Sequence, residues 1–270
     1  MKDIFSEISR HLKLYRIFFK MSFMSIMEYR ANFIIGILVE LCYICSKVLY
    51  LVVVYNTGVT INGFTPDYIT LYVGSFSIIS AIYNGLFMDN IYNIPYQIKT
   101  GSLDMLITKP VSLQFMLTVR VVNFSMMLAN FICGLVMVIM GWSRLGIAVN
   151  FINVSGYIVF IINGIIMAYI VFLIPMLLSF WTIETRALIE ISDKVWSFNS
   201  MPMTIYNKII QRIGMFIIPI FAVTNLPSLF LVRRLQLSYV IWMVAGPIIF
   251  FIIMRLIWNM AIKKYESANV

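Results

Sequence analysis

FINVSGYIVFIINGIIMAYIVFLIPMLLSF, residues 151–180, runs for 30 residues without one Asp, Glu, Lys or Arg. A bilayer core of about 30 Å is crossed by roughly 20 apolar residues in an α-helix, so this stretch is long enough to span a membrane. Toward the N-terminus, similar runs occupy about Leu113–Met140, Tyr68–Asn90 and Ala31–Tyr55. Toward the C-terminus, a shorter run from about Ile209 to Val232 carries Pro219 and Pro227, and a last one from about Leu237 to Ile262 contains Pro247. Composition agrees: 61% of the 270 residues are hydrophobic and 11% charged, against roughly 25% charged in a soluble domain. A soluble enzyme is excluded. The expected fold is an all-α polytopic membrane protein with six transmembrane helices in one domain over residues 1–270.

The net charge of +9 reads as topology rather than nucleic-acid binding, because Lys and Arg near span ends are retained on the cytoplasmic side. With the N-terminus inside, cytoplasmic segments hold Lys2, Arg10, Lys13, Arg16, Lys20, Arg30, Lys99, Lys109, Arg120, Arg186, Lys194, Lys208, Arg212, Arg255, Lys263 and Lys264. The outer loops hold Arg144, Arg233 and Arg234. Both termini are then cytoplasmic, as an even number of spans requires, in the cell membrane. Residues 31–262 form the bundle and 263–270 a cytoplasmic tail. A cleaved signal peptide is not expected, since basic residues are scattered through the first thirty. Instead, Ile4, Ile8, Leu12, Tyr15, Phe19 and Phe23 fall within an arc of about 100° at helical spacing, opposite Arg10, Lys13, Arg16 and Lys20. Residues 1–30 therefore read as an interfacial amphipathic helix, an anchor whose polar face is free to dock a partner.

Several chemistries are missing. No G-x-x-x-x-G-K-[ST] phosphate-binding loop occurs. His11 is the only histidine, expected at the surface, and cannot build a metal set or a Ser-His-Asp arrangement alone. Cys42 and Cys45 form a C-x-x-C, but mid-span, where a redox pair has no exposed thiolate. Asp67, Asp89, Asp104 and Glu184 stand at span ends or in loops, which does not suit an embedded enzyme.

Within the first span, Glu40 and Lys47 are seven residues apart and share a face, roughly 10 Å apart along the axis. Buried charges are costly and serve a purpose. Two readings stand: mutual neutralisation at a helix or subunit interface, or a polar contact in a substrate path. Ser77, Ala81 and Gly85, like Gly164 and Ala168, form small-residue packing seams. Asn123 and Asn130 share a face of the third span and suit interhelical hydrogen bonds. The run from 209 to 232 is able to turn back within the outer leaflet if protein shields its backbone.

Between the second and third spans, residues 96–112 read Tyr96-Gln-Ile-Lys99-Thr-Gly101-Ser102-Leu103-Asp104-Met105-Leu106-Ile107-Thr108-Lys109-Pro110-Val111-Ser112. Gly101 stops one helix, Ser102 is placed to cap the next, and Pro110 ends it. Asp104 and Lys109 suit opposite ends of that helix's dipole. A short rigid cytoplasmic helix between two spans is built to receive a push from another protein.

This loop resembles that of the permease subunits of type-2 ABC exporters, in the branch whose first cytoplasmic loop reads roughly G-x-L-D-x-x-L-x-K-P. Gly101, Leu103, Asp104, Leu106, Lys109 and Pro110 match position by position. The resemblance extends to the R-x-N-F at Arg30, Asn32 and Phe33, the P-x-x-I-Y at Pro202, Ile205 and Tyr206, and the stretch Phe221-Ala222-Val223 with Pro227. It does not cover Glu40 and Lys47. It implies a noncatalytic permease paired with a second, similar or identical permease above two ATP-binding subunits. ATP and Mg would bind those subunits, with no cofactor on this chain. Coupling would run through Gly101–Pro110 and the basic helix bearing Arg10, Lys13 and Arg16. The alternative, a self-contained secondary transporter or channel, calls for a relay of polar groups across several spans; Glu40 and Lys47 are the residues that point to it.

Overall fold

The computed structural model describes residues 2–58, 60, 63–182 and 185–265, with no account of the side chains of residues 2–6 and 8. Lys2, Asn62, Glu184, the side chains of Ile4 and Ile8, and residues 266–270 of the expected tail therefore lie outside the described side chains or residues.

Each helix starts and stops where the chain supplies the means. Helix α1 (Lys2–Glu28) and α2 (Arg30–Thr57) are separated only by Tyr29, whose backbone is not helical. Gly58, at φ 60°, ends α2 in the left-handed conformation that a Cβ disfavours. Thr65 caps and Pro66 opens α3 (Pro66–Lys99), a 34-residue span interrupted by a π-helical turn at Asn84–Met88. After Gly101, again left-handed at φ 68°, come the one-turn α4 (Asp104–Ile107) and the short α5 (Leu113–Thr118), capped by Ser112. Asn123 then caps α6 (Phe124–Arg144), and Asn150 caps α7 (Phe151–Phe180). The remainder comprises α8 (Arg186–Ser197), α9 (Lys208–Ile217), α10 (Ile220–Leu231) and α11 (Leu237–Lys264). Five helices, α2, α3, α6, α7 and α11, are long and apolar enough to cross a membrane, and α9 with α10 makes a sixth only as a pair bent by 102°. Pro175 and Pro247 are accommodated inside continuous helices.

Helix α3 is the axis of the packing. Over its 18-residue apolar stretch, 72% of the residues are buried, against 17% for that of α2 and 11% for that of α11, so the outer two face lipid or a partner. The closest approach is to α6: a Cβ on Gly74 would sit 2.7 Å from the Val138 nitrogen, and one on Gly141 2.7 Å from the Leu71 nitrogen. Glycine is required there because two backbones share the space. Ala81 is buried and Gly85 abuts Met127, as the small-residue spacing implied, while Gly164 faces the backbone of Val223.

Contacts sort the helix ends into two groups. At one end Asp67 pairs with Arg144 at 3.9 Å and Arg234 lies over the Phe64 ring at 4.5 Å. At the other, Asn123 donates to Asp89 at 2.8 Å, Ser22 accepts from the Val122 N–H at 3.1 Å, and Phe180 meets Tyr265 at 5.9 Å between centroids. This second, basic end carries α1 and α4.

Three expectations change. The run expected as one helix over 113–140 is broken at 119–123, between α5 and α6. The freed backbone groups are satisfied by protein: the Asn90 amide donates to the Val121 carbonyl at 2.7 Å and accepts from its N–H at 2.8 Å, and the Asn123 N–H reaches the Gly85 carbonyl at 2.8 Å. Next, Ser102 does not cap α4. Leu103 occupies that position with no side-chain bond, while Ser102 turns back toward Thr100 and the Gln97 carbonyl.

The third change concerns the fifth crossing, which is composite and starts before Ile209. Asp193 accepts from Tyr92 at 3.0 Å, Trp196 packs on Tyr83 at 5.0 Å, and Tyr72 donates to the Asn199 carbonyl at 2.8 Å. Residues 193–199 thus climb antiparallel to α3. Helix α9 then lies against the start of α11 through Phe216 with Trp242 and Tyr239. The chain bends at Pro219, and α10 completes the rise from the level of Gly164 to that of Gly156. Arg212, expected on the cytoplasmic side, lies instead within electrostatic reach of Tyr239, two residues into α11 and away from the basic end.

Candidate functional site

The first site lies inside the bundle. Glu40 and Lys47 do not meet directly; Asn130 on α6 stands between them. Lys47 Nζ donates to Asn130 Oδ1 at 3.0 Å and to Ser77 Oγ on α3 at 3.1 Å. Asn130 Nδ2 donates to Glu40 Oε2 at 2.5 Å and to the Met126 carbonyl one turn back at 3.0 Å. One amide therefore presents its acceptor to the cation and its donor to the anion, which satisfies both ions where water is scarce. Glu40 and Asn130 are buried, Lys47 is half-buried, and its ammonium also lies 5.5 Å from the centre of the Phe76 ring.

This network lines a cavity of about 550 Å³ between α2, α3, α6 and residues 196–201. Tyr43, Ser46 and Tyr50 continue a polar stripe along α2 at helical spacing, and Ser80 and Asn84 face it from α3. Tyr50 Oη, Ser80 Oγ and Asn84 Oδ1 are buried without a hydrogen-bond partner. Groups of this kind in an apolar setting have an unmet demand that a polar guest satisfies. Among the described residues no cluster of three His, Cys, Asp or Glu side chains is placed to hold a metal. Cys42 and Cys45 are free thiols on the outward side of α2.

Spacing alone placed Glu40 and Lys47 on one face but missed the bridge. The sequence suits Asn130 to interhelical bonding, yet nothing in one chain's order says that α6 lies against that face of α2. Asn123, its companion, does something else: it caps α6 and donates to Asp89.

The second site is the surface at the basic end. In the matched loop, Leu103 is fully buried and Leu106 nearly so. They anchor a turn whose outer side exposes Met105, Ile107, Lys109 and Pro110. Gly101 supplies the reversal before it, and the Leu103 N–H closes onto the Gln97 carbonyl at 3.3 Å. Asp104 lies half-buried against Tyr265; burial first, and the Asp104 carboxylate second, push that phenol up to about 12.

Arg10, Lys13 and Arg16 are exposed on α1. Its inward side differs from the expected arc. Phe18 is buried, Ser22 holds the break, and His11, expected at the surface, packs edge-on against Phe115 at 4.7 Å. Leu12, Phe19 and Phe23 are exposed, though Phe19 and Phe23 touch Phe124 along their edges. The helix thus has three sides: protein, lipid and water. The two halves of the surface adjoin, since Ser112, two residues after Pro110, borders the same groove as Glu7 and His11.

Residues 41–269 match the model of the ABC-2 family transporter proteins. No curated protein and no solved structure matches the chain. A match over most of the length, with five or six apolar helices, makes this chain a multi-pass membrane protein that belongs to the ABC-2 transporter family.

Proposed function

We propose that this chain is the permease subunit of an ATP-driven exporter. It would sit in the cell membrane with both termini cytoplasmic, pair with a second permease, similar or identical, and rest on two ATP-binding subunits that hold ATP and Mg. Hydrolysis is the partners' chemistry; this chain supplies the path and the lever.

One observation carries the reading: α4 is a single turn anchored by Leu103 and Leu106, with Met105, Ile107 and Lys109 turned outward. A buried anchor prevents the turn from absorbing a push by local bending, because packed cores shift between discrete arrangements rather than deform. Displacement is passed to α3, which the turn follows, and to α5, which it precedes. Orientation is supported by charge: even with Lys208 and Arg212 removed from the cytoplasmic tally, most Lys and Arg remain at the end bearing α1 and α4. The cavity around Glu40, Asn130 and Lys47 supplies half of the substrate pathway, open toward the second permease along the exposed side of α2.

The test is purification of the tagged chain from its native membrane in mild detergent, followed by transport and ATPase assays of the complex in liposomes. Recovery with an ATP-binding subunit and ATP-dependent transport support the proposal. Gradient-driven transport by the chain alone would overturn it in favour of a secondary transporter. Asp104→Ala with Lys109→Ala is expected to leave hydrolysis intact and reduce transport about tenfold or more, on the order of 1.4 kcal/mol in coupling; unchanged transport removes the coupling role from this turn.

A further inference from the structure

The charges around the cavity between α2, α3, α6 and residues 196–201 cancel. Its lining holds one anion, Glu40, and one cation, Lys47, and Asn130 bonds to both, at 2.5 Å and 3.0 Å. An anion drawn to Lys47 would meet Glu40 across one amide, and a cation drawn to Glu40 would meet Lys47. A charged guest also gives up its hydration on entry, which is costly without a counter-charge of its own. The lining has no surplus charge to offer it.

The unmet demand is for neutral hydrogen bonds. Ser80, 4% exposed, has an Oγ without a partner, and Tyr50 Oη and Asn84 Oδ1 are buried in the same condition. The hydroxyls donate or accept, whereas the amide oxygen only accepts. All three residues border the cavity, so a molecule inside it supplies what the protein does not. Asn84 also opens the π-helical turn Asn84–Met88, and both ends of that turn line the cavity. Such turns are rare and recur at functional sites. The remaining wall is largely apolar: Val73, Phe76, Met88, Met126, Trp196 and Met201, with the rings of Phe76 and Trp196 5.9 Å apart between centres.

We infer that this cavity takes an uncharged amphiphile, a molecule with an apolar or aromatic body and several hydroxyl or amide groups, one of which donates to Asn84 Oδ1. This names the class of substrate for the path assigned above and rests on that assignment. Ser80 and Asn84 on α3 and Tyr50 on α2 bind the polar groups, while the Glu40–Asn130–Lys47 network forms a polar wall of no net charge.

The full chain, purified with whatever partners accompany it and placed in lipid nanodiscs without nucleotide, is titrated with three nitroaromatic probes that quench tryptophan fluorescence: neutral 4-nitrophenyl glucoside, anionic 4-nitrophenyl sulfate and cationic (4-nitrobenzyl)trimethylammonium. The neutral probe is expected to quench saturably and to bind about tenfold more tightly than either charged one, because burying an unpaired charge is costly. Trp196→Phe should remove the saturable quenching, which places the probe in this cavity. Ser80→Ala should weaken binding about threefold or more, the worth of one neutral hydrogen bond, without lowering the melting temperature, since it deletes a buried hydroxyl that has no partner. Asn84→Leu should weaken binding to a similar degree. Tighter binding of a charged probe, equal binding of all three, saturable quenching that survives Trp196→Phe, a lower melting temperature in Ser80→Ala, or unchanged affinity in both Ser80→Ala and Asn84→Leu overturns the inference. Binding without ATP is read apart from transport: ATP-driven export with a preference for a charged probe sinks this inference alone, and binding of the neutral probe without ATP-driven export sinks the exporter reading alone.

Discussion

At the residue scale, Asn130 is the position on which most depends. It bonds to both charges in the interior of α2 at once, at 3.0 Å to Lys47 and 2.5 Å to Glu40. Asn130→Leu leaves each without that partner, and a buried unsatisfied polar group costs about 1 to 3 kcal/mol, more when charged. A lower melting temperature in detergent is therefore expected. Replacing the whole network, with Glu40→Gln and Lys47→Met added, should recover much of the stability, since apolar or neutral substitution of buried ions is often well tolerated. Transport separates structure from function. If the stable triple variant exports as well as wild type, the cluster is a packing device and not part of the substrate path.

A second residue-scale expectation concerns the α3–α6 seam. A methyl on Gly74 would meet backbone at 2.7 Å from Val138 and 2.9 Å from Gly134, so neither side has a flexible group to move aside. Gly74→Ala should cost about 1 to 3 kcal/mol through overpacking, visible as reduced thermal stability. Gly146, where an added Cβ would find nothing within 4 Å, offers a contrast only in space; its φ of 63° still strains any other residue.

At the element scale, the break at 119–123 ties α1, α3 and α6 together. Asn90 satisfies both backbone groups of Val121, and Ser22 satisfies the N–H of Val122. Asn90→Ala frees two part-buried backbone groups, so a loss of about 1 to 2 kcal/mol is expected. Hydrogen exchange should then quicken at Val121 and Val122 rather than throughout the bundle; uniform acceleration would mean that Asn90 supports global stability instead of this joint. The α4 turn is the other element to test. Leu103→Ala should cost about 2 to 5 kcal/mol by leaving a cavity and should also weaken coupling, whereas Met105→Ala, on the exposed side, should weaken partner ATPase stimulation with little effect on melting. Equal loss of stability in the two variants would contradict the anchor-and-contact division.

Element boundaries show what was legible. Ser112, Asn123 and Asn150 cap helices as their residue types favour, and Gly58 and Gly101 stop them. Ser102 does not cap, because the tight return to Gln97 captures its hydroxyl first. The interruption at 119–123 did not stand out in an otherwise apolar run, although Arg120 and Asn123 lie within it beside Val119, Val121 and Val122; an asparagine 31 residues away makes the break tolerable.

For the whole molecule, topology is testable by labelling. In a background lacking Cys42, Cys45 and Cys133, the Lys109→Cys variant should react with an impermeant maleimide only from the cytoplasmic side. Arg212→Cys should react only from the opposite side or not at all. Reaction of Arg212→Cys from the cytoplasm would restore the simpler topology in which the fifth crossing begins at Ile209.

Length, charge and apolar runs by themselves determined that the chain is helical, spans a membrane several times and gathers its basic residues toward one end, because bilayer thickness and the cost of moving charge across it act on local composition. They also marked the Gly101–Pro110 turn, whose punctuation is local. Tertiary structure alone decided that Asn130 mediates between Glu40 and Lys47, that the third run is broken, that the fifth crossing is shared by α8, α9 and α10, and that His11 packs against Phe115. Each depends on which helix faces which, and that is chosen by close backbone approach and by polar groups finding partners far away in the chain.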